Sequence, residues 1–488
     1  MFRFNVVAAS IATFLSSFTA HATLPAPITK AMREVGVPLY AVSMYVREVG
    51  NVDPLIAHRS TEPMNPASTM KILTTLVGLD VLTPNYTWKT TFSTASKIEA
   101  GVLRGPMYLR GSGDPKFVAE HLQAAVKALR DRGIREIQGD ILLDRTLFAG
   151  VASDPSQFDG QPLKPYNVSP DALLYNFQAV GFRFTPQPDN SVTVTTDGPP
   201  PDGLALTNSL RATGGNCGDW RSLISPVFTS NGNRASASFI GTYPRDCADR
   251  AWYVSLFDHN GLLAGTFARM WRDAGGTWTG IMRDGATPKN ARQLYVHTSA
   301  PLASMVTDIN KYSNNVMARQ LLLTIDAELS KRPAVAKRGG RSIHDWAKNR
   351  GFDISDVVIE NGSGLSRNER VSAQSMAKVL EYGLTAPFSS DFVSSLPLAA
   401  TDGTLAKRFV NHQAEGSAYL KTGTLTGVKA LAGYLLLPGD RKMIFVAMIN
   451  HSNAEAGQRA LDAAVDWVYQ TQSLVPAKAP AQEAVKPN

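Results

Sequence analysis

At 488 residues, 44% of them hydrophobic and 18% charged, the chain has the make-up of a globular protein of two or three domains, which excludes a disordered or fibrous one. Its formal charge of +8 comes without any block of consecutive Lys or Arg, so it does not describe a nucleic-acid-binding tail.

The first residues carry Arg3, an apolar run through Val6, Val7, Ile11, Phe14 and Leu15, and then Ala20-His21-Ala22, a small-x-small cleavage pattern. Residues 1–22 therefore read as a signal peptide, the run being too short and too broken by Ser to remain as a membrane anchor. Loss of Arg3 with it takes the formal charge from +8 to +7. A moderately basic mature surface is first of all an ordinary solvated face with some excess Lys and Arg, and it also suits an anionic wall polymer.

From Ile28 the pattern is a short amphipathic helix, then alternation through Leu39, Ala41, Ser43 and Tyr45 that predicts a strand, with a second near Pro54–His58. Asn65-Pro66-Ala67-Ser68-Thr69-Met70-Lys71 follows, at the head of an apolar run. There a Ser and a Lys three residues apart meet on one helical face. A serine hydroxyl needs a base, and a lysine whose pKa is lowered by desolvation or a second cation can serve. Ile72, Leu73, Leu76, Val77, Leu79 and Val81 cover more than one face, so this helix should be buried almost all round and end before Pro84.

Between about Lys89 and Leu294 the texture changes to short strands, Gly and Pro turns, and two helices near Phe117–Leu129 and Leu262–Trp271. Each helix leads into Arg-Asp-x-Gly and a strand, at Arg130–Gly133 and Arg272–Gly275. That fits a duplicated unit or common helix-stop grammar equally well. The chain's two cysteines, Cys217 and Cys247, lie in this stretch; in an exported protein they are expected to form a disulfide.

Farther on come Ser313-Asn314-Asn315, Asn361-Gly362-Ser363-Gly364-Leu365-Ser366-Arg367, and Lys421-Thr422-Gly423-Thr424. Apolar segments of strand length at Val428–Leu437 and Met443–Ile449 flank Pro438-Gly439-Asp440, and a helical pattern runs through Ala460, Ala463, Ala464 and Trp467. Beyond Leu474, Pro476, Pro480 and Pro487 mark a flexible tail without an amphipathic pattern.

The ordered trio Ser68-x-x-Lys71, Ser313-x-Asn315 and Lys421-Thr422-Gly423 resembles the serine penicillin-recognising enzymes. A second Ser-x-x-Lys at Ser375 and Lys378 breaks that order. A rival Ser-x-Asn at Ser366 and Asn368 sits in the Gly-Ser-Gly-Leu-Ser stretch typical of one branch, so Ser366 is assigned to a structural turn. That branch is the low-molecular-mass class C penicillin-binding proteins, the penicillin-binding protein 4 type D-alanyl-D-alanine carboxypeptidase/endopeptidases of peptidase family S13.

The resemblance implies an α/β fold. A β-lactamase/DD-peptidase-like catalytic domain, an antiparallel sheet flanked by helices, would comprise residues 23–88 and 295–474. Residues 89–294 would form two nested accessory domains, and 475–488 the tail. It also implies acyl transfer on peptidoglycan stem peptides ending in D-Ala-D-Ala and on cross-linked muropeptides, in the periplasm or cell envelope, with β-lactams as covalent inhibitors.

By motif position Ser68 is the nucleophile and Lys71 its base. Ser313 relays a proton with Lys421 beside it, and Asn315 binds the substrate amide and fixes Lys71. Lys421, Thr422, Gly423 and Thr424 line the substrate subsite, and the backbone N–H groups of Ser68 and Thr424 form the oxyanion hole. Asn314 departs from the branch, which commonly has Asp there, and Tyr312-Ser313-Asn314 offers a Tyr-x-Asn register instead. Thr404, in Gly403-Thr404-Leu405, is assigned a structural role.

His-Glu-x-x-His, Cys-x-x-Cys, the Walker loop and Gly-x-Ser-x-Gly are absent, so no metal and no cofactor is expected. A β-lactamase or esterase on the same Ser-Lys site, or a non-catalytic wall-binding homologue, stay as alternatives.

Overall fold

The computed structural model describes residues 24–150 and 154–473; the expected signal peptide, 1–22, and the expected tail, 475–488, lie outside the described residues. An antiparallel five-stranded sheet runs in the order Ala418–Leu425, Val428–Leu437, Arg441–Asn450, Val42–Glu48, Ile56–His58. Both ends of the chain supply it: Val42 to Glu48 pair with Ile449 to Met443.

The last two strands in sequence are apolar almost without break because both faces of the sheet are covered there. Met443, Phe445, Ala447 and Ile449 point to one side, where Ile28 and Met32 of helix Ala26–Glu34 meet Leu461, Val465 and Val468 of helix Ala454–Gln472. Ile444, Val446 and Met448 point to the other, with Ala430, Ala432 and Tyr434. There helices Met70–Leu82, Leu302–Lys311, Asn315–Ser330, Ala336–Asn349 and Ala373–Thr385 contribute Leu73, Leu76, Ile309, Leu321, Ile343 and Leu380.

Met70–Leu82 is the helix expected to be buried all round, and only Asp80 and Val81 escape burial. Asp80 is polar for a reason: its carboxylate accepts from Arg350 Nε (2.8 Å), the Tyr382 hydroxyl (3.0 Å) and Trp346 Nε1, joining three helices. The helix stops at Thr83, whose φ of 73° no helix continues, one residue before Pro84.

The chain leaves this body after Trp88 and returns at Ser299. The Trp88 amide donates to Ser299 Oγ (3.0 Å) and the Ser299 amide to the Trp88 carbonyl (3.0 Å). Strands Lys89–Thr94 and Arg292–Thr298 run antiparallel beside each other into the accessory stretch. They belong to a sheet ordered Met282–Asp284, Ile141–Asp144, Met107–Arg110, Lys89–Thr94, Arg292–Thr298.

The two Arg-Asp-x-Gly segments do occupy matching places. Helices Ala119–Asp131 and His259–Asp273 end at Gly133 (φ 82°) and Gly275 (φ 76°), and the strands that follow pair in parallel, Thr277 with Glu136 and Met282 with Ile141. Between these halves, strands Val180–Pro186, Val192–Thr196 and Arg250–Val254 form one small sheet, and Leu204–Thr213, Ile224–Ser230 and Ala235–Pro244 another. Cys217 and Cys247 are joined by a disulfide at their margin. Phe182, Phe184, Phe239 and Tyr243 form the buried centre there.

Candidate active site

Ser68 lies in a single tight turn, Ala67–Thr69, directly ahead of the helix that carries Lys71. The turn is held from three directions. The Asn65 amide donates to Asn450 Oδ1 (2.8 Å) while Asn450 Nδ2 donates to the Asn65 carbonyl (3.0 Å). Asn65 Nδ2 reaches the Ser366 carbonyl (2.9 Å), and its Oδ1 accepts from the Ala67 amide (2.9 Å). Ala67 is bent to φ 46°, a left-handed conformation alanine rarely takes, which these bonds sustain.

Close packing completes the clamp. A Cβ on Gly364 (φ 80°) would stand 1.9 Å from the Ala67 carbonyl oxygen, and one on Gly423 2.6 Å from that of Pro66.

Lys71 is fully buried with its Nζ 3.0 Å from Ser68 Oγ. It also donates to Asn315 Oδ1 (2.6 Å) and to the Ser363 carbonyl. Burial first, then the charge of Lys421, and more weakly Arg319, hold its amine well below the usual range, with Glu369 pulling the other way. A lysine so placed is available as the neutral base that a serine nucleophile needs.

Lys421, also fully buried, donates to Ser313 Oγ (2.9 Å) and to the Thr422 carbonyl (3.0 Å). Burial brings its pKa down to about 7. The site is therefore two hydroxyls, each on a buried lysine, with Asn315 bonded to the first lysine.

Ser313 sits at φ 55° in the break between helices Leu302–Lys311 and Asn315–Ser330. Asn314, the departure from the branch pattern, caps the second helix by accepting from the Met317 amide (3.1 Å), a task Asn and Asp perform alike. Tyr312 is 71% exposed, and the hydroxyl on Lys421 is that of Ser313.

The rival motifs are occupied elsewhere. Ser375 Oγ donates to Asp356 (2.6 Å) and Lys378 to the Asp353 carbonyl (3.3 Å). Ser366 Oγ donates to Glu360 and accepts from the Asn368 amide (2.9 Å), forming a turn.

Lys421 to Thr424 run along the outer edge of the central sheet, in strand Ala418–Leu425. A hollow of about 310 Å³ opens there, lined by Thr404, Lys407, Arg408, Thr422, Gly423 and Thr424. The Thr404 hydroxyl is 2.8 Å from that of Thr422, so Thr404 faces the site; the Gly-Thr-Leu match alone does not disclose this. Ser363 and Glu369 are also missed by the motifs, because they act through a backbone carbonyl and backbone amides. No group of acidic, His and Cys side chains among the described residues could hold a metal ion.

The sequence pattern of the D-Ala-D-Ala carboxypeptidase 3 (S13) family matches residues 28–471. The chain is similar to a D-alanyl-D-alanine carboxypeptidase of Actinomadura sp. (strain R39), 29% identical over 85% of this chain and 78% of that protein. It is 24% identical to the D-alanyl-D-alanine carboxypeptidase DacB of Haemophilus influenzae, over 79% and 80% of the two chains. In fold it is similar to the crystal structure of penicillin-binding protein 4 (dacB) from Haemophilus influenzae. The TM-score there is 0.73 at 20% identity, covering 91% of this chain and 99% of that one.

Proposed function

The chain belongs to the D-Ala-D-Ala carboxypeptidase 3 (S13) family of serine hydrolases, and from that premise we propose that Ser68, Lys71, Ser313, Asn315 and Lys421 are its catalytic residues. The observation that carries this is the contact of Lys71 Nζ with both Ser68 Oγ and Asn315 Oδ1.

Ser68 Oγ attacks the carbonyl between the two terminal D-alanines as Lys71 takes its proton. Negative charge on the carbonyl oxygen is met by the amides of Ser68 and Thr424. Ser313, poised by Lys421, passes a proton to the leaving amine; D-alanine departs, and water then hydrolyses the ester. Thr422 with Lys421 receives the substrate carboxylate, a cation and a hydroxyl being apt donors for it, and Gly423 keeps that strand close to the Ser68 turn.

The substrates are stem peptides ending in D-Ala-D-Ala and cross-linked muropeptides, trimmed or cleaved after export to the periplasm or envelope behind a signal peptide ending at Ala22. The disulfide suits an oxidising compartment, and no helix among the described residues is long and apolar enough to cross a membrane. We divide the mature chain into a catalytic domain, 23–88 and 295–474, around accessory domains at 89–294. The nesting of the two small sheets between the paired helix–strand halves supports that division.

Incubation with penicillin should raise the intact mass by one penicilloyl group, located on Ser68 and slow to leave. Ser68→Ala should abolish labelling and lower D-Ala release about 10⁶-fold, while Ser375→Ala leaves both intact. A label on another residue, or penicillin turnover faster than pentapeptide cleavage, would refute the reading.

A further inference from the structure

Glu369 is fully buried and touches neither Ser68 nor the other motif side chains. Its Oε1 accepts three successive amide protons, from Glu360 (3.1 Å), Asn361 (2.9 Å) and Gly362 (2.9 Å). The next residue, Ser363, presents its carbonyl to Lys71 Nζ. The same loop is fixed on its far side, where Asn361 Oδ1 accepts from the Ser363 amide (2.9 Å) and hydroxyl (2.7 Å), and Thr74 Oγ1 donates to the Gly362 carbonyl (2.6 Å). Glu369 Oε2 is buried with no hydrogen-bond partner. Burial pushes the Glu369 pKa up, against the three amides and Lys71, which favour its charge; a carboxyl left half-satisfied in the interior is costly and calls for a compensating role.

We propose that Glu369 is a positioning residue for Lys71: it fixes the Ser363 carbonyl on the lysine and supplies negative charge opposite Lys421 and Arg319. The inference rests on Lys71 being the base for Ser68.

The charged groups facing Lys71 come from three directions. Lys421 lies on strand Ala418–Leu425, Arg319 on helix Asn315–Ser330, and Glu369 on the loop after the Gly-Ser-Gly turn. Arg319 is half-buried, with its Nε unpartnered, and Glu369 and Glu360 are the carboxylates that favour its charge. Without Glu369 the positive charge of Lys421 and Arg319 would act on Lys71 unopposed. With it Lys71 is kept from losing its proton too readily, while burial and Lys421 still leave it a usable base.

Two roles, one of charge and one of reach, separate in two variants. Glu369→Gln keeps an oxygen for the three amides but removes the charge. The acid limb of the pH profile for β-lactam acylation should move down by about one pH unit, because the Lys71 ammonium loses its stabilising neighbour. Glu369→Asp keeps the charge but draws the oxygen back from the loop, so acylation should slow about tenfold at every pH with the limb unmoved.

A Glu369→Gln limb at the wild-type position, with only a lower Tm, would reduce Glu369 to a structural residue. Folded Glu369→Asp acylating at the wild-type rate would overturn the positioning role. Mass labelling is run in parallel: label persisting in Ser68→Ala would instead overturn the catalytic assignment, so the two failures are told apart.

Discussion

A lysine pays for burial in charge, and Lys421 shows the sign of that effect. Its pKa falls from about 10.5 in the unfolded chain to about 7 in the fold, because burial disfavours the ammonium. Between those values the unfolded chain binds the extra proton, so the site's contribution to stability is complete above pH 10.5 and is lost as pH falls toward 7. A shift of this size corresponds to about 5 kcal/mol. Lys421→Met should therefore be more stable than wild type at pH 6 to 7 by chemical denaturation, with the gap closing toward pH 10, while acylation is lost. A constant gap across that range would show that burial does not lower the Lys421 pKa. The same residues were the most legible in the sequence. The residues proposed as catalytic, Ser68, Lys71, Ser313, Asn315 and Lys421, are side chains at fixed spacing, and the order of three motifs separates them from Ser366 and Ser375. Glu369 was not legible, since a carboxylate that works on backbone amides leaves no spacing to read.

At the scale of elements, the catalytic turn is shaped by its neighbours more than by its own propensity. Nothing in Asn65-Pro66-Ala67-Ser68 requires Ala67 at φ 46°; the reciprocal bonds between Asn65 and Asn450, 385 positions apart, and the glycine packing do. Asn450→Ala should leave the backbone amide and carbonyl of Asn65 without these partners and destabilise the protein by about 1–3 kcal/mol in urea, with Ser68 acylation slowed. Gly364→Ala should be worse, because its Cβ meets the Ala67 carbonyl oxygen and its φ of 80° is itself unfavourable. Wild-type acylation by a folded Gly364→Ala protein would mean that the Gly-Ser-Gly turn does not hold Ser68 in place. The strand segments near both chain ends and the buried Ser68 helix were legible because period and composition are local, whereas their antiparallel joining into one sheet came only from the family resemblance. The pairing of the two Arg-Asp-x-Gly units was not, since the same residues also describe an ordinary helix stop.

The whole molecule is joined at more than the Trp88–Ser299 strand pair. Lys116 of the accessory stretch bonds Asp308 (2.6 Å) on the helix leading to Ser313, and Arg319 Nη1 donates to the Val168 carbonyl (3.0 Å). Gln320, wholly buried, accepts from the Asp171 amide (3.0 Å) and donates to the Asp171 carbonyl (2.8 Å). The far end of that stretch is held otherwise, by the disulfide closing a separation of 30 residues, worth about 3–4 kcal/mol on the chain-entropy account. Replacing Cys217 and Cys247 together by Ser should lower the melting of that part and leave penicillin acylation near wild type, since neither cysteine approaches the site. Gln320 is the opposite case. Gln320→Leu fills the same space but strands the buried Asp171 amide and carbonyl, at about 1–3 kcal/mol. The helix carrying Gln320 also carries Asn315, so some loss of acylation is expected with any substrate. If the accessory stretch helps to seat a wall-sized substrate, loosening this junction should lower kcat/KM for cross-linked muropeptides several-fold more than it lowers penicillin acylation, because the small antibiotic needs only the Ser68 and Lys421 subsites. Equal losses on the two substrates would confine the effect to Asn315 and remove the accessory stretch from substrate binding.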